Sequence, residues 1–324
     1  ESRAQRGMAK AALFPSAGAS ASASRATSSK ESGNGATSDL YAAGFDASWE
    51  LDLFGGKRRS LEAATASWQA SVESMNDVMV SLLAEVALNY VEVRLGQALL
   101  SITESNLTTR SETYDMTRWR CEAGLTTQLD EEQAKSSLEQ VRAQIPTLRT
   151  SLEQAKYRLA VLLGHPPGAL NELLAEAKVV PAAPADVAVG VPAEALRRRP
   201  DVRSAERKLA AQTAEIGVAE AARYPSFSLL GSIGVESLEY ADLYSSSARA
   251  AQGVAKAAWT LFAGGSIRQN IKLQTVRQEE ALNFYESTVL SALQDVENFL
   301  VACANEQDRR DSLALAVQSS QNAF

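Results

Sequence analysis

The sequence predicts an α+β fold in which long antiparallel coiled-coil helices alternate with β-hairpins, laid out as a pseudo-symmetric tube. The first observation is a near-repeat about 209 residues apart: FDASWELDLFGG at 45–56 returns as AAWTLFAGG at 257–265. Each copy is preceded by a short segment opening at Leu13-Phe14-Pro15 or Arg223-Tyr224-Pro225, and the register persists far downstream, where EVALNYV at 85–91 matches QDVENFL at 294–300. That spacing is far too long for a solenoid unit. The second observation is strict period-two alternation before the first Gly-Gly. The third is a helical 3-4 periodicity after it, sustained over tens of residues.

Composition limits the alternatives. The chain of 324 residues is 45% hydrophobic and 6% aromatic. No stretch approaches the roughly 18–20 apolar residues of a spanning helix, so only a closed β-barrel could carry it across a bilayer. A net charge of -7 with short basic clusters offers nothing general to nucleic acid. The opening residues 1–10 read as the tail of a helix without a basic start or apolar run, the expectation being a fragment or processed form. Cys121 and Cys303 fall on different long helices; the repeat sets Cys303 level with Arg94, about 40 Å from Cys121, too far for a disulfide.

Residues 16–24 alternate Ala with Ser or Gly, and the Gly/Asn/Ser-rich segment 30–38 forms an exposed loop. Its GNG is not a phosphate loop, because no helix opening with Lys-Ser/Thr follows. Across 40–55, Phe45, Ala47, Trp49, Leu51 and Leu53 share one strand face, and Asp46, Ser48, Glu50 and Asp52 the other. Such a strand separates two environments: core and water in a sandwich, or lipid and lumen in a barrel.

From Lys57 to Glu122 one helix of about 66 residues, roughly 100 Å, carries a stripe of Trp68, Val72, Met75, Met79, Leu82 and Val86 that continues, diluted, through Val93, Leu100, Leu107 and Tyr114. Residues 123–127 break it, Gly124 supplying the stop and a threonine the next N-cap. The return helix, about 127–163, has a seam of Leu138, Val141, Ile145, Leu148, Leu152, Ala155, Leu159 and Leu162, with a kink or loosening expected at Pro146. After Gly164-His165-Pro166-Pro167-Gly168, the Pro/Ala-rich stretch 179–192 makes a non-helical detour. A helix over about 193–222 then shows Val202, Ala205, Leu209, Ile216 and Ala219 on its seam. The two shorter helices together equal the long one, which predicts strands at one level and a helical hairpin tip at the other. The second hairpin pairs 226–235 with about 253–262 around 236–249. A second long helix starts near Ser266, with Val289, Leu293, Val296, Leu300 and Cys303 on its seam. The expected divisions are 1–56, 57–163, 164–192, 193–222, 223–264 and 265–324. The offset puts a second tip near position 333, about nine residues past the last one.

FDASWELDLFGG, RWRCEAGLTTQLDEEQAKSSLEQVRAQIPTLRTSLEQAKYRLAVLLG and ALRRRPDVRSAERKLAAQTAEIGVAEAARYPSFSLLGS resemble the TolC-type outer membrane factors, above all the OprM and NodT-like efflux lipoprotein branch. The resemblance covers nearly the whole chain. It implies an α+β membrane channel: a long antiparallel α-helical coiled-coil barrel in the periplasm plus β-hairpins contributing to a homotrimeric, twelve-stranded transmembrane β-barrel in outer membrane lipid. It further implies a tripartite efflux system with a periplasmic adaptor (membrane fusion protein) and an inner membrane pump of the RND type, exporting small molecules such as drugs. Against that pattern the second tip with its return helix, the signal sequence, the lipidated cysteine and the first helices are missing.

The resemblance places Arg120, Gly124, Leu125, Thr126 and Thr127 at an adaptor-contact tip, with an ordinary helix-hairpin turn as the simpler reading. It places Asp46, Ser48, Glu50 and Asp52 on the lumen, and Phe45, Trp49, Leu51 and Leu53 against lipid. Lys57, Arg58 and Arg59 oppose the helix macrodipole; lipid head groups or plain solvent account for them equally. Arg197-Arg198-Arg199-Pro200-Asp201 reads as a structural junction. His165 is the only histidine, no metal-ligand spacing or nucleophile-base pair is present, and neither a cofactor nor enzyme activity is expected. The competing readings are a type I protein-secretion duct and a non-membrane structural coiled-coil protein.

Overall fold

The computed structural model describes residues 1–31, 35–181 and 196–322. In chain order these form α1 (Ser2–Ala11), β1 (Ser16–Thr27), β2 (Thr37–Leu51), α2 (Gly56–Glu122), α3 (Gln128–Leu162), α4 (Pro200–Ala221), β3 (Ser226–Ser237), β4 (Arg249–Ala258) and α5 (Ser266–Asn322). Two compact units result, Glu1–Met75 with Gly190–Phe324 and, separately, Asn76–Val189. The detour expected at 179–192 falls mostly outside the described residues, as do the middle of the 30–38 loop and the first residues of the helix expected from 193.

The first unit holds one antiparallel sheet in the order β1-β2-β3-β4. Its two hairpins are copies down to single hydrogen bonds. Ser16 pairs with Ser48 as Ser226 pairs with Ala258. In each copy the hydroxyl of the first serine donates 3.3 Å to its partner's carbonyl. The Trp49 indole donates to the Leu13 carbonyl at 3.0 Å and the Trp259 indole to the Arg223 carbonyl at 3.0 Å. The repeat is therefore a repeat of tertiary structure.

Two strand ends differ from expectation. β2 stops at Leu51, leaving Asp52 and Leu53 outside the strand, because the Asp52 carboxylate turns to accept the Lys57 and Arg58 backbone N–H groups at 3.2 and 2.9 Å. β4 spans Arg249–Ala258 rather than 253–262, since the chain leaves the sheet where Trp259 hooks onto Arg223.

Helices of this unit pack through small side chains. Ala63, Ala66 and Ala70 of α2 are buried, as are Val202, Ser204, Ala205, Ala211, Ala214 and Ala219 of α4. A Cβ on Gly217 would come within 2.9 Å of the Arg59 side chain, so glycine is what lets α2 approach there. Ser204 Oγ donates to the Ala70 carbonyl at 3.1 Å, and Arg203 pairs with Glu73 at 2.9 Å. Arg199 ties α4 to α5, bonding Asp201 at 2.7 Å and Asp295 at 3.0 Å, the structural role expected of the junction motif.

The expected α2 stripe is corrected in part: Val72, Met75, Met79 and Leu82 are exposed, and Ala63, Ala66 and Ala70 make the packed seam of this unit, whereas Val93 is fully buried and Val86 and Leu100 pack beside it in the other unit. Alanine permits closer helix approach than Met, so Val72 and Met75 are left exposed. On α5 only Ala292 is buried, and Leu293, Leu300 and Cys303 of the expected seam lie open.

The second unit shows the expected α3 seam: Leu138, Ile145, Leu152, Ala155 and Leu159 are buried. The helix continues unbroken through Pro146. Val93 on α2, Leu152, Leu159, and Leu170 and Leu174 beyond α3 form one core. Beside it Arg94 is 3% exposed, donating to the Glu176 carbonyl at 2.7 Å and Gln97 Oε1 at 2.8 Å. Gln97 in turn donates to the Leu174 carbonyl at 2.6 Å, so this pair fastens segment 164–178 to α2.

Candidate functional site: a two-faced sheet and a hairpin tip

Residues directly opposite in an antiparallel sheet share a face, so the register sorts every side chain. Phe45 aligns with Ala19, Ile233 and Ala251; Trp49 with Leu229 and Ala255; Tyr41 with Ala23. From Tyr41 to Leu51 this face carries no charge on β1, β2 and β3, while on β4 Arg249 stands in the row of Ala43 and the uncharged stretch begins at Ala251, beside Phe45; Phe45 is 66% exposed. Its far margin is marked by Arg25, paired with Asp39 across the strands at 2.5 and 2.7 Å, and by Arg249 opposite Val235. The ten residue steps between Tyr41 and Leu51 span about 34 Å at ~3.4 Å per residue. A tilt of roughly 40° projects this to about 26 Å, against the ~25 Å apolar band of outer-membrane barrels.

The opposite face is polar. Ser20 Oγ donates to Asp46 at 2.9 Å, and the Ser16 and Ser48 hydroxyls meet at 2.8 Å. Asp46 continues into Ser232 and Gln252, and Glu50 into Ser228 and Lys256. Leu230 and Val254 interrupt this face in one row. Of the lumen group expected from the sequence, Asp46, Ser48 and Glu50 share this face; Asp52 lies beyond the strand. Phe45, Trp49 and Leu51 share the apolar face, and Leu53 also lies beyond the strand end.

Gly44 and Gly234 face each other across β2 and β3 and went unread in the sequence. A Cβ at Gly234 would lie 2.5 Å from the Ala43 carbonyl oxygen and 2.8 Å from the Gly44 Cα. Isolated glycine within a strand signals such close approach.

The basic group at the start of α2 has its charge balanced within the chain. Lys57 Nζ lies 3.1 Å from Glu50, Arg58 Nε 3.1 Å from Asp52, and Arg59 2.7 Å from Glu62. Burial pushes the Asp52 carboxyl up, but the Arg58 and Lys57 N–H groups and the Arg58 guanidinium outweigh it and hold it below the usual carboxylate range. This carboxylate removes the conflict between three cations and the positive helix end.

In the second unit the α2–α3 turn closes by a Schellman arrangement. Gly124 has φ +69°, Leu125 N–H donates to the Arg120 carbonyl at 2.8 Å, and Gly124 N–H to the Cys121 carbonyl at 2.9 Å. Thr127 caps α3 in a reciprocal capping box with Asp130. Asp130 Oδ2 accepts from the hydroxyls of Thr126 at 2.6 Å and Thr127 at 2.7 Å and from Thr127 N–H at 3.0 Å. These bonds, in that order, and the Arg120 charge pull its carboxyl down to about 2. Asp130 was not singled out from sequence, although TQLD at 127–130 carries the capping-box spacing. All five expected tip residues gather at this turn. Leu125, 71% exposed, and Trp119, 60% exposed, give it an apolar surface. The fixed backbone presents Leu125 without a neighbour to pack on: a Cβ at Gly124 itself would meet nothing within 4 Å.

Comparison with known proteins was made against this geometry. The family model described as outer membrane efflux protein matches residues 1–165 and 191–324. Nodulation protein T of Rhizobium leguminosarum bv. trifolii is 33% identical over 289 residues, covering 89% of this chain and 62% of that relative. The probable efflux pump outer membrane protein TtgC of Pseudomonas putida is 31% identical over 326 residues, covering 99% and 67%. Among solved structures, the outer-membrane channel OprN superposes with a TM-score of 0.91 at 35% identity, covering 97% of this chain and 71% of that one. The chain thus spans about three fifths of the length of the nodulation relatives it matches.

Proposed function

Because this chain belongs to the outer membrane efflux protein family, we propose that it forms the wall of a passive exit duct in the outer membrane of a Gram-negative bacterium, with its helices in the periplasm. The observation that carries this reading is the sheet: one face without charge on β1, β2 and β3 over the depth of an apolar band, with Arg249 of β4 toward its far margin, the other lined by Ser, Asp, Glu and Gln. Lipid suits the first face and a water-filled lumen the second. A four-stranded sheet whose outer strands β1 and β4 lack a partner on one side leaves two rows of backbone N–H and C=O groups to satisfy. Closure with two further copies gives twelve strands and no edge.

The duct is a conduit without a chemical step of its own. An inner membrane pump of the RND type supplies the energy, a periplasmic adaptor bridges to the tip at Arg120, Gly124, Leu125, Thr126 and Thr127, and the exported solutes are small molecules such as drugs. The efflux role in the name of TtgC supports this assignment. The Schellman turn and capping box supply what docking requires, a rigid backbone with Leu125 outward.

The test is export by the full-length protein in cells lacking their own channel, supplied with its adaptor and pump. Gly124→Trp should abolish export while heat-resistant trimers still form. Unchanged export with the variant would refute the docking role of the turn; absence of membrane trimers in the parent protein would refute the duct.

A further inference from the structure

We propose that the foot of β4 binds the phosphate head group of an anionic phospholipid, with Arg223, Arg268 and Lys272 around the phosphate and Trp259, Leu261 and Phe262 against the acyl chains. The proposal rests on the reading that the apolar face of the sheet meets lipid. These six residues line one cavity of about 500 Å³ where β4 gives way to α5. Ala255 and Ala257 belong to the apolar face, and Trp259 and Leu261 follow them just beyond the end of β4. Within the chain Leu261 is 77% and Phe262 89% exposed beside the apolar face of the sheet.

The internal repeat shows what the cavity lacks. In the first copy a cavity at the start of α2 is lined by Glu62 and Glu220 beside Arg58 and Arg59. There Asp52 supplies the anion that caps the helix and pairs with Arg58. The strand registers set the offset of the hairpins at 210 residues, Ser16–Ser48 against Ser226–Ala258, so the position of Asp52 is taken by Phe262. The first turn of α5 has no acidic residue. Among the described residues, none of Arg223, Arg268 and Lys272 has an ion-pair partner. The second copy therefore keeps the helix N-terminus and one cation, Arg268 in the place of Arg58, has Arg223 and Lys272 where the first has Leu13 and Glu62, and has an aromatic ring where the first has the Asp52 carboxylate.

Three cations lining one cavity, with Arg268 in the first turn of α5, suit a phosphate, which can accept several charge-assisted hydrogen bonds at once. Soluble phosphate would leave Trp259, Leu261 and Phe262 unused, and an uncharged lipid would leave the cations unused. An anionic phospholipid engages both, with its head group at the depth where aromatic residues gather in membrane proteins. The basic triplet Lys57, Arg58 and Arg59, the more obvious lipid candidate in the sequence, is balanced by Glu50, Asp52 and Glu62 and contributes little.

The test uses the full-length protein purified in a neutral detergent and exposed to equimolar phosphatidylglycerol and phosphatidylcholine, with bound lipid counted by native mass spectrometry. Phosphatidylglycerol should be retained preferentially. Each of Arg223→Gln, Arg268→Gln and Lys272→Gln should lower that preference about fivefold, and all three together roughly a hundredfold. The matching triple change at Lys57, Arg58 and Arg59 should leave it within about twofold. Phe262→Asp removes no cation but restores the carboxylate of the first copy, and should also abolish the preference. Heat-resistant trimers are verified in each preparation: a parent protein that never forms them contradicts the duct itself. Trimers without phosphatidylglycerol preference, or with a preference insensitive to the second-copy changes, overturn only the lipid site. Displacement of the bound lipid by millimolar inorganic phosphate would also overturn it, in favour of a free-phosphate site.

Discussion

Phe45 and Asp46 are adjacent in β2 and lie on opposite faces of the sheet, so the same substitution at each separates a membrane wall from a solvated one. Phe45 sits near the middle of the uncharged band, in register with Ala19 and Ile233, and is 66% exposed within the chain. An arginine on the lipid face near the bilayer midplane costs about 2–4 kcal/mol. Loss of the cross-strand apolar pairs adds about 0.2–1 kcal/mol. Phe45→Arg should therefore destabilise each protomer by about 3 kcal/mol, and a three-copy barrel by about 9 kcal/mol where closure is cooperative. Asp46→Arg loses one exposed hydrogen bond, Ser20 to Asp46 at 2.9 Å, for about 0.5–1.5 kcal/mol. The assay is folding of the full-length protein into phosphatidylcholine vesicles across a guanidinium series, read by the heat-resistant trimer band. Equal midpoints for the two variants, or a larger loss with Asp46→Arg, would refute the assignment of faces.

Other consequences are local. Gly234→Ala places a methyl group against the Ala43 carbonyl and Gly44 and should prevent β2–β3 pairing, seen as loss of trimers, whereas Gly253→Ala, with open space around it, should be tolerated. Asp130 has a carboxyl held at about 2 against an ordinary 3.8, so its bonds contribute fully above about pH 4 and are lost as pH falls through 2. Hydrogen exchange at the start of α3 should accelerate over that window in the parent protein and lose this pH step in Asp130→Asn. Arg94→Met removes the bond to the Glu176 carbonyl and strips Gln97 Oε1 of its donor. It should cost the second unit about 2–3 kcal/mol and expose segment 164–178 to limited proteolysis.

What was legible in the sequence follows from periodicity. Strand alternation in β2 separated Phe45 from Asp46 because a pleated strand cannot do otherwise, and register then extended the sorting to strands such as Ser16–Thr27 that carry little hydropathy signal of their own. The hairpin tip was legible because Gly124 and a threonine N-cap punctuate the helices. The α2 seam is legible where Val93 packs but not in its first third, where small rather than large side chains make the contact. Ala63, Ala66 and Ala70 make the contact within the chain, and Val72 and Met75 remain exposed. Counting in twos assigns Asp52 to the strand face, yet the unsatisfied N–H groups of Lys57 and Arg58 at the start of α2 compete for the same carboxylate. The Arg94–Gln97 clamp was invisible, because its acceptors are carbonyls about 80 residues away and no side-chain pattern announces them.

The central claim is that odd-numbered residues of β2 face lipid and even-numbered ones face water. It is tested most directly by placing single spin labels at positions 42–51 of the full-length protein in vesicles, after Cys121→Ser and Cys303→Ser, and measuring collision with oxygen and with a water-soluble nickel complex. The account predicts a period of two, with oxygen contact high at 43, 45, 47, 49 and 51 and nickel contact high between them. Nickel contact at every position, or no alternation at all, would contradict it.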